Sequence, residues 1–161
     1  MSLFNRRALL FLPAAVAACG FTPVYGPEGT ATALRRRVLI DEPDDKDSFL
    51  LVRDLEQHLG RAQMPVYRLS YVLVTDTQGQ AVTSSGDTTR FSIVGSVSYI
   101  LRRIDSDAIV ASGDVDNFTG YSATGSTVET LASERDAYAR LMSILADQIA
   151  TRLYSTVQIP A

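Results

Sequence analysis

A chain of 161 residues with 46% hydrophobic content suits one compact domain that buries its own core. A net charge of −3 gives no electrostatic case for nucleic acid, and the balance of 46% hydrophobic and 20% charged residues excludes wholesale disorder. A single cysteine excludes an internal disulfide and a thiolate metal cluster, and a single histidine, His58, thins the supply of metal ligands and general bases.

The first eighteen residues, MSLFNRRALLFLPAAVAA, have three parts. Arg6 and Arg7 give a positive start, Ala8 to Val16 is apolar apart from Pro13, and Ala14 to Ala18 is small and alanine-rich. That is the layout of a secretory signal peptide. The apolar run is far shorter than the ~20 residues of a membrane-spanning helix. Val16-Ala17-Ala18-Cys19 then resembles the bacterial lipobox, an aliphatic residue and two small residues before a cysteine. Cys19 is therefore expected to carry a diacylglycerol on its thiol and an acyl chain on its freed amine. Each buried CH₂ of such chains contributes about 0.8 kcal/mol, and more than one chain makes attachment stable. Gly20 stands where lipoproteins retained in the inner membrane often carry Asp, which favours transfer to the outer membrane. Processing at Cys19 leaves 13 basic and 18 acidic side chains, a net charge of about −5. Phe21 to Leu34, with Pro23, Gly26, Pro27 and Gly29, reads as a tether with little regular structure. The expected organisation is a signal peptide over 1–18, a lipidated tether over 19–34, a domain over 35–156 and a short tail over 157–161.

Arg35 to Asp41 reads as a short first strand with an apolar centre, ended by Pro43. Asp47-Ser48 predicts the cap of a helix running to Leu59, with Gly60 as its stop and Phe49, Val52, Leu55 and Leu59 as its apolar face. Tyr67, Leu69, Tyr71 and Leu73 alternate with Arg68, Ser70, Val72 and Val74, which predicts a half-buried strand. Asp76 to Asp87 is polar and reads as a loop. Arg90 to Ile104 gives the longest strand signal. Phe91, Ile93, Gly95, Val97, Tyr99 and Leu101 share one face; Ser92, Ser96, Ser98 and Arg102 share the other. That polar face points to water or a polar partner. Asp105-Ser106-Asp107 is turn chemistry, and Ile109 to Tyr121 is a fourth strand hairpinned to the third. Ser126 and Glu129 fit a capping box, followed by an apolar stripe at Tyr138, Leu141, Leu145, Ile149 and Leu153. The order β-α-β-β-β-α predicts an α+β two-layer sandwich, a mostly antiparallel four-stranded sheet packed by two helices.

Catalytic and metal patterns are thin. His58 lies in the first helix with no partnered nucleophile in view. Gly120 to Gly125 approaches a nucleophile elbow at Ser122, but Thr124 stands where the pattern needs glycine. Asp41, Glu42, Asp44, Asp45 and Asp47 cluster, yet Pro43 interrupts them and Val52 replaces the closing glutamate of a calcium loop. No metal site is expected. Arg35, Arg36 and Arg37, with Arg102 and Arg103 on another strand, are the candidate contacts for an anionic lipid, because a guanidinium fork binds two phosphate oxygens.

Cys19-Gly20-Phe21-Thr22-Pro23-Val24-Tyr25-Gly26, with the serine-rich strand Ser92-Ile93-Val94-Gly95-Ser96-Val97-Ser98-Tyr99 and the final helix, resembles the lipopolysaccharide-assembly lipoprotein family LptE, in particular its alphaproteobacterial members. The resemblance implies a cofactor-free, non-catalytic domain tethered to the inner leaflet of the outer membrane and facing the periplasm. It further implies a partner, the β-barrel protein LptD, whose lumen the domain plugs, and a role in delivering lipopolysaccharide to the cell surface. It supplies no binding-site residues; the arginine clusters rest on their own chemistry. The alternative is a free, periplasm-facing lipoprotein that binds a lipid or small molecule in a cavity between sheet and helices.

Overall fold

The computed structural model describes Gly26, residues 29–82 and residues 88–157. The signal segment, Cys19 and the motif as far as Tyr25 lie outside the described residues, as do residues 158–161.

In chain order the elements are α1 (Thr30–Leu34), β1 (Val38–Ile40), α2 (Lys46–Leu59), β2 (Tyr67–Val82), β3 (Thr88–Arg103), β4 (Ile109–Ser122) and α3 (Thr127–Thr156). One sheet holds the strands in the order β1-β2-β3-β4. The expected α+β sandwich is what forms, with both long helices on one face. The sheet is mixed: β2, β3 and β4 are antiparallel, while β1 runs parallel to β2. The parallel pair follows from α2, which carries the chain back to the starting end of the sheet between the two strands.

Alternation sets the covered face. On β3, Ile93, Val97 and Leu101 are fully buried and Tyr99 nearly so. Leu69 of β2 and Val115 of β4 lie on the same face. Leu141, Leu145, Ile149 and Leu153 of α3 pack onto them, and each buried side chain of this size contributes about 1.5–3 kcal/mol. Gly95 lets the helix approach closely: a Cβ there would sit 3.0 Å from Leu141 Cδ2 and 3.1 Å from Leu145 Cδ1. The capping box of α3 is present, Glu129 accepting from the Ser126 N–H at 2.7 Å and Ser126 Oγ accepting from the Glu129 N–H at 3.4 Å.

Four expectations shift. The buried face of α2 is Ser48, Leu51, Asp54, Leu55 and Leu59, whereas Phe49 is 58% exposed. Helical period alone does not separate the 48-51-55-59 stripe from the neighbouring 49-52 one. Helix α2 starts at Lys46 because Asp45 is the N-cap, accepting from the Ser48 N–H at 2.7 Å. The polar stretch Asp76 to Val82 is strand, paired with residues 88–94 of β3, because ladder hydrogen bonds need backbone rather than apolar side chains. The stretch read as a tether ends in α1, where Leu34 is fully buried, and at the other terminus Val157 also enters the core.

Candidate functional site

Arg35, Arg36 and Arg37 form a tight turn, not a strand. Arg36 has φ +61°, its N–H donates to the Leu59 carbonyl at 2.8 Å, and its carbonyl accepts from Gln63 at 3.1 Å. Arg37 closes onto Leu34 with its N–H at 3.0 Å. All three side chains are exposed. The register then brings the two arginine groups to one end of the sheet: Val38 pairs with Tyr67, and Tyr67 with Arg103.

Arg35 to Arg37 do not line the hollow that forms there. A cavity of about 230 Å³ is lined by Arg68, Arg102, Arg103, Ile104 and Asp107. Arg68 is the residue that sequence reasoning passed over. It is the direct cross-strand partner of Arg102, on the face that the helices leave open. Like charges directly opposite repel. Carboxylates relieve that repulsion only loosely, with Asp41 4.0 Å from Arg68 and Asp107 3.6 Å from Arg102. Arg103 is more fully engaged, since Nε and Nη2 both donate to Asp105, at 3.1 and 2.8 Å. Arg103 and Ser106 together hold the Asp105 carboxyl down at about 2. Arg102 Nη1 also donates to the Asp107 carbonyl at 3.2 Å, so its remaining donors and those of Arg68 are the ones left for an incoming anion. Alternation alone placed Arg68 and Arg102 on outward faces; their adjacency needed the register.

Beyond this arginine end the open face is mixed. Ser98 donates to the Asp114 carboxylate at 2.5 Å, and Ser96 and Asp116 pair in the next row. The polar face expected of β3 is present, but its neighbours add exposed Val72, Val74 and Phe118, at 64%, 58% and 67%. Serines with interspersed apolar side chains suit a partner surface better than bulk water alone.

The remaining candidates are placed apart. His58 sits in the last turn of α2, where its backbone carbonyl accepts from Tyr154 Oη at 2.9 Å. Ser122 Oγ contacts the Thr89 carbonyl at 3.4 Å and Thr124 Oγ1 at 3.2 Å. In the acidic cluster, Asp44 and Asp45 are occupied by Ser48, whose bonds lower the Asp45 pKa. Burial raises that of Asp47. Among the described residues no group of three or more His, Cys, Asp or Glu is poised for a metal ion. No described helix is long and apolar enough to cross a membrane.

What this fold offers is therefore surface: a small α+β domain with one sheet face covered and the other presented. The lipopolysaccharide-assembly family LptE matches residues 35–153, and the chain belongs to that family. The fold recurs in solved structures. A protein described as a candidate lipoprotein of Caulobacter crescentus CB15 superposes with a TM-score of 0.65 at 22% identity, covering 81% of this chain and 96% of that one. Rare lipoprotein B from Shewanella oneidensis gives 0.57 at 10% identity, covering 74% and 93%. A minor lipoprotein from Acinetobacter baumannii gives 0.54 at 14% identity, covering 77% and 95%. No curated protein matches the sequence at a significant level.

Proposed function

We propose that this chain is a non-catalytic outer-membrane lipoprotein that assembles with the β-barrel protein LptD, plugs its lumen and helps deliver lipopolysaccharide to the cell surface. The observation that carries the reading is the family match across residues 35–153. The anchor is Cys19, whose acyl chains hold the domain at the periplasmic side of the membrane. Relatives of the same fold described as lipoproteins support that anchor. The phosphates of lipopolysaccharide meet Arg68 and Arg102, with Arg103 and the Arg35–Arg37 turn adding positive field at the same end. The free lipid-binder alternative loses ground, because Leu51, Leu55, Leu69, Leu141 and Leu145 fill the space between sheet and helices.

Co-purification tests the reading. The native lipoprotein, extracted from outer membrane in mild detergent, should bring LptD with it. Recovery without LptD, under conditions that preserve other barrel complexes, overturns it. An Arg68→Ala/Arg102→Ala chain should still recover LptD while capturing less lipopolysaccharide. Cys19→Ser should release the chain from membranes and stop processing after Ala18.

A further inference from the structure

We infer that β1 is a self-pairing edge: two copies of the chain associate by antiparallel β1–β1 pairing about a two-fold axis at Leu39, merging two four-stranded sheets into one. The inference goes beyond the barrel reading: it concerns the chain outside a barrel, and its test does not depend on that reading.

The two edges of the sheet differ. At β4 three of the outward backbone groups are taken by side chains. Arg152 donates to the Asp114 carbonyl at 2.5 Å, Asn117 Oδ1 accepts from the Phe118 N–H at 2.8 Å, and Arg140 donates to the Gly120 carbonyl at 3.3 Å. Capped in this way, β4 resists strand addition. At β1 the inward bonds are defined. The Arg37 carbonyl accepts from Val66 and Tyr67 at 2.9 and 3.1 Å, and the Asp41 N–H donates to the Leu69 carbonyl at 3.0 Å. Positions 37, 39 and 41 thus face β2, and by alternation the N–H and C=O of Val38 and Ile40 point away from it. Among the described residues no side chain bonds to those four groups.

Charge then selects the occupant. The stretch Arg35-Arg36-Arg37-Val38-Leu39-Ile40-Asp41-Glu42 is basic before its apolar centre and acidic after it. Antiparallel pairing about Leu39 sets Arg37 of each copy opposite Asp41 of the other. Val38 and Ile40 then exchange reciprocal backbone bonds, and the two Leu39 residues meet as a non-hydrogen-bonded pair. Parallel pairing in the same register sets Arg37 against Arg37 and is repulsive. Leu39 is 38% exposed, on the open face with Arg37 and Asp41. On the helix side, a groove of about 330 Å³ beside β1 is lined by Ile40, Pro43, Phe49 and Val52. The second copy brings its own Phe49 and Val52 to the same axis. Arg61 borders that groove; ion-paired to Glu56 at 3.1 Å but 83% exposed, it swings out as the strands meet.

Sedimentation equilibrium of the acylated full mature chain, in density-matched detergent and up to millimolar chain, reads the association. The natural sequence forms a reversible dimer. Arg37→Asp and Asp41→Arg each weaken it about tenfold or more. An equimolar mixture of those two variants regains it, because both charge pairs are again opposite in the mixed dimer. A chain that stays monomeric throughout, single variants that associate like the natural chain, or a mixture no tighter than either variant alone each overturns the inference. Contact geometry gives a second reading. With Cys19 acylated, Leu39→Cys oxidises to a covalent dimer, since residues facing across a two-fold bring their Cβ atoms within disulfide reach. Val72→Cys, on the open face of β2, stays monomeric; equal cross-linking of the two overturns the β1 axis.

Discussion

The two faces of β3 are built from the same strand and obey different constraints. Toward the helices, Ile93, Val97, Tyr99 and Leu101 are buried, and a Cβ at Gly95 would press on Leu141 and Leu145 of α3. Toward solvent, Ser92, Ser96 and Ser98 are flanked by exposed Val72, Val74 and Phe118 of the neighbouring strands. Packing explains every residue of the first face and none of the apolar ones on the second.

The largest expected break is on the covered face. Leu145→Ala removes a fully buried side chain next to Gly95 and should cost about 2–5 kcal/mol in urea unfolding. Gly95→Val overfills the same spot and should cost about 1–3 kcal/mol. The two substitutions touch, so they should not add: in the double variant the valine occupies part of the space the leucine vacates, giving a loss smaller than the sum. Additive losses in that cycle would show that α3 does not seat on Gly95.

On the open face the same experiment should read almost nothing. Phe118→Ser lies at 67% exposure, so its effect on unfolding should stay within about 0.5 kcal/mol. Recovery of LptD, the proposed partner, from detergent-extracted membrane should nevertheless fall. A Phe118→Ser chain that unfolds as easily as Gly95→Val would erase the distinction between the faces.

The covered face was legible in the sequence and the open face only partly so. Alternation from Tyr67 to Leu73 and from Phe91 to Leu101 named the buried side of both strands, and Ser126 with Glu129 marked where α3 begins. Those signals are local, carried by period and capping chemistry. Phe49 misled because α2 lies over an edge strand, where its outer side has nothing to cover it. Arg68 was overlooked because its importance comes from standing opposite Arg102, 34 positions along the chain, and a single sequence does not print the register that joins them. The turn at Arg35 to Arg37 was hidden for a related reason: its bonds run to Leu59, Gln63 and Val66, residues contributed by the later helix and loop.

The smallest expected effect is a pH dependence at the arginine end. Arg103 and Ser106 hold the Asp105 carboxyl at about 2, below its ordinary 3.8. A depressed carboxylate favours the folded state above its unfolded pKa, and that contribution fades as pH falls through the folded value. The window therefore runs from about pH 4 down to about pH 2. Asp105 is exposed and Arg103 half-buried, and salt screens the pair, so the expected shift in thermal midpoint is small and shrinks further at high ionic strength. Asp105→Asn should flatten this part of the pH profile by lowering the midpoint near neutrality by that same small amount and leaving it unchanged near pH 2. The same substitution frees Arg103 beside Arg68 and Arg102, so binding of inorganic phosphate to the chain should tighten while stability barely moves. Unchanged phosphate binding would mean that Arg103 points its charge away from the hollow, leaving Arg68 and Arg102 as the two groups that define it.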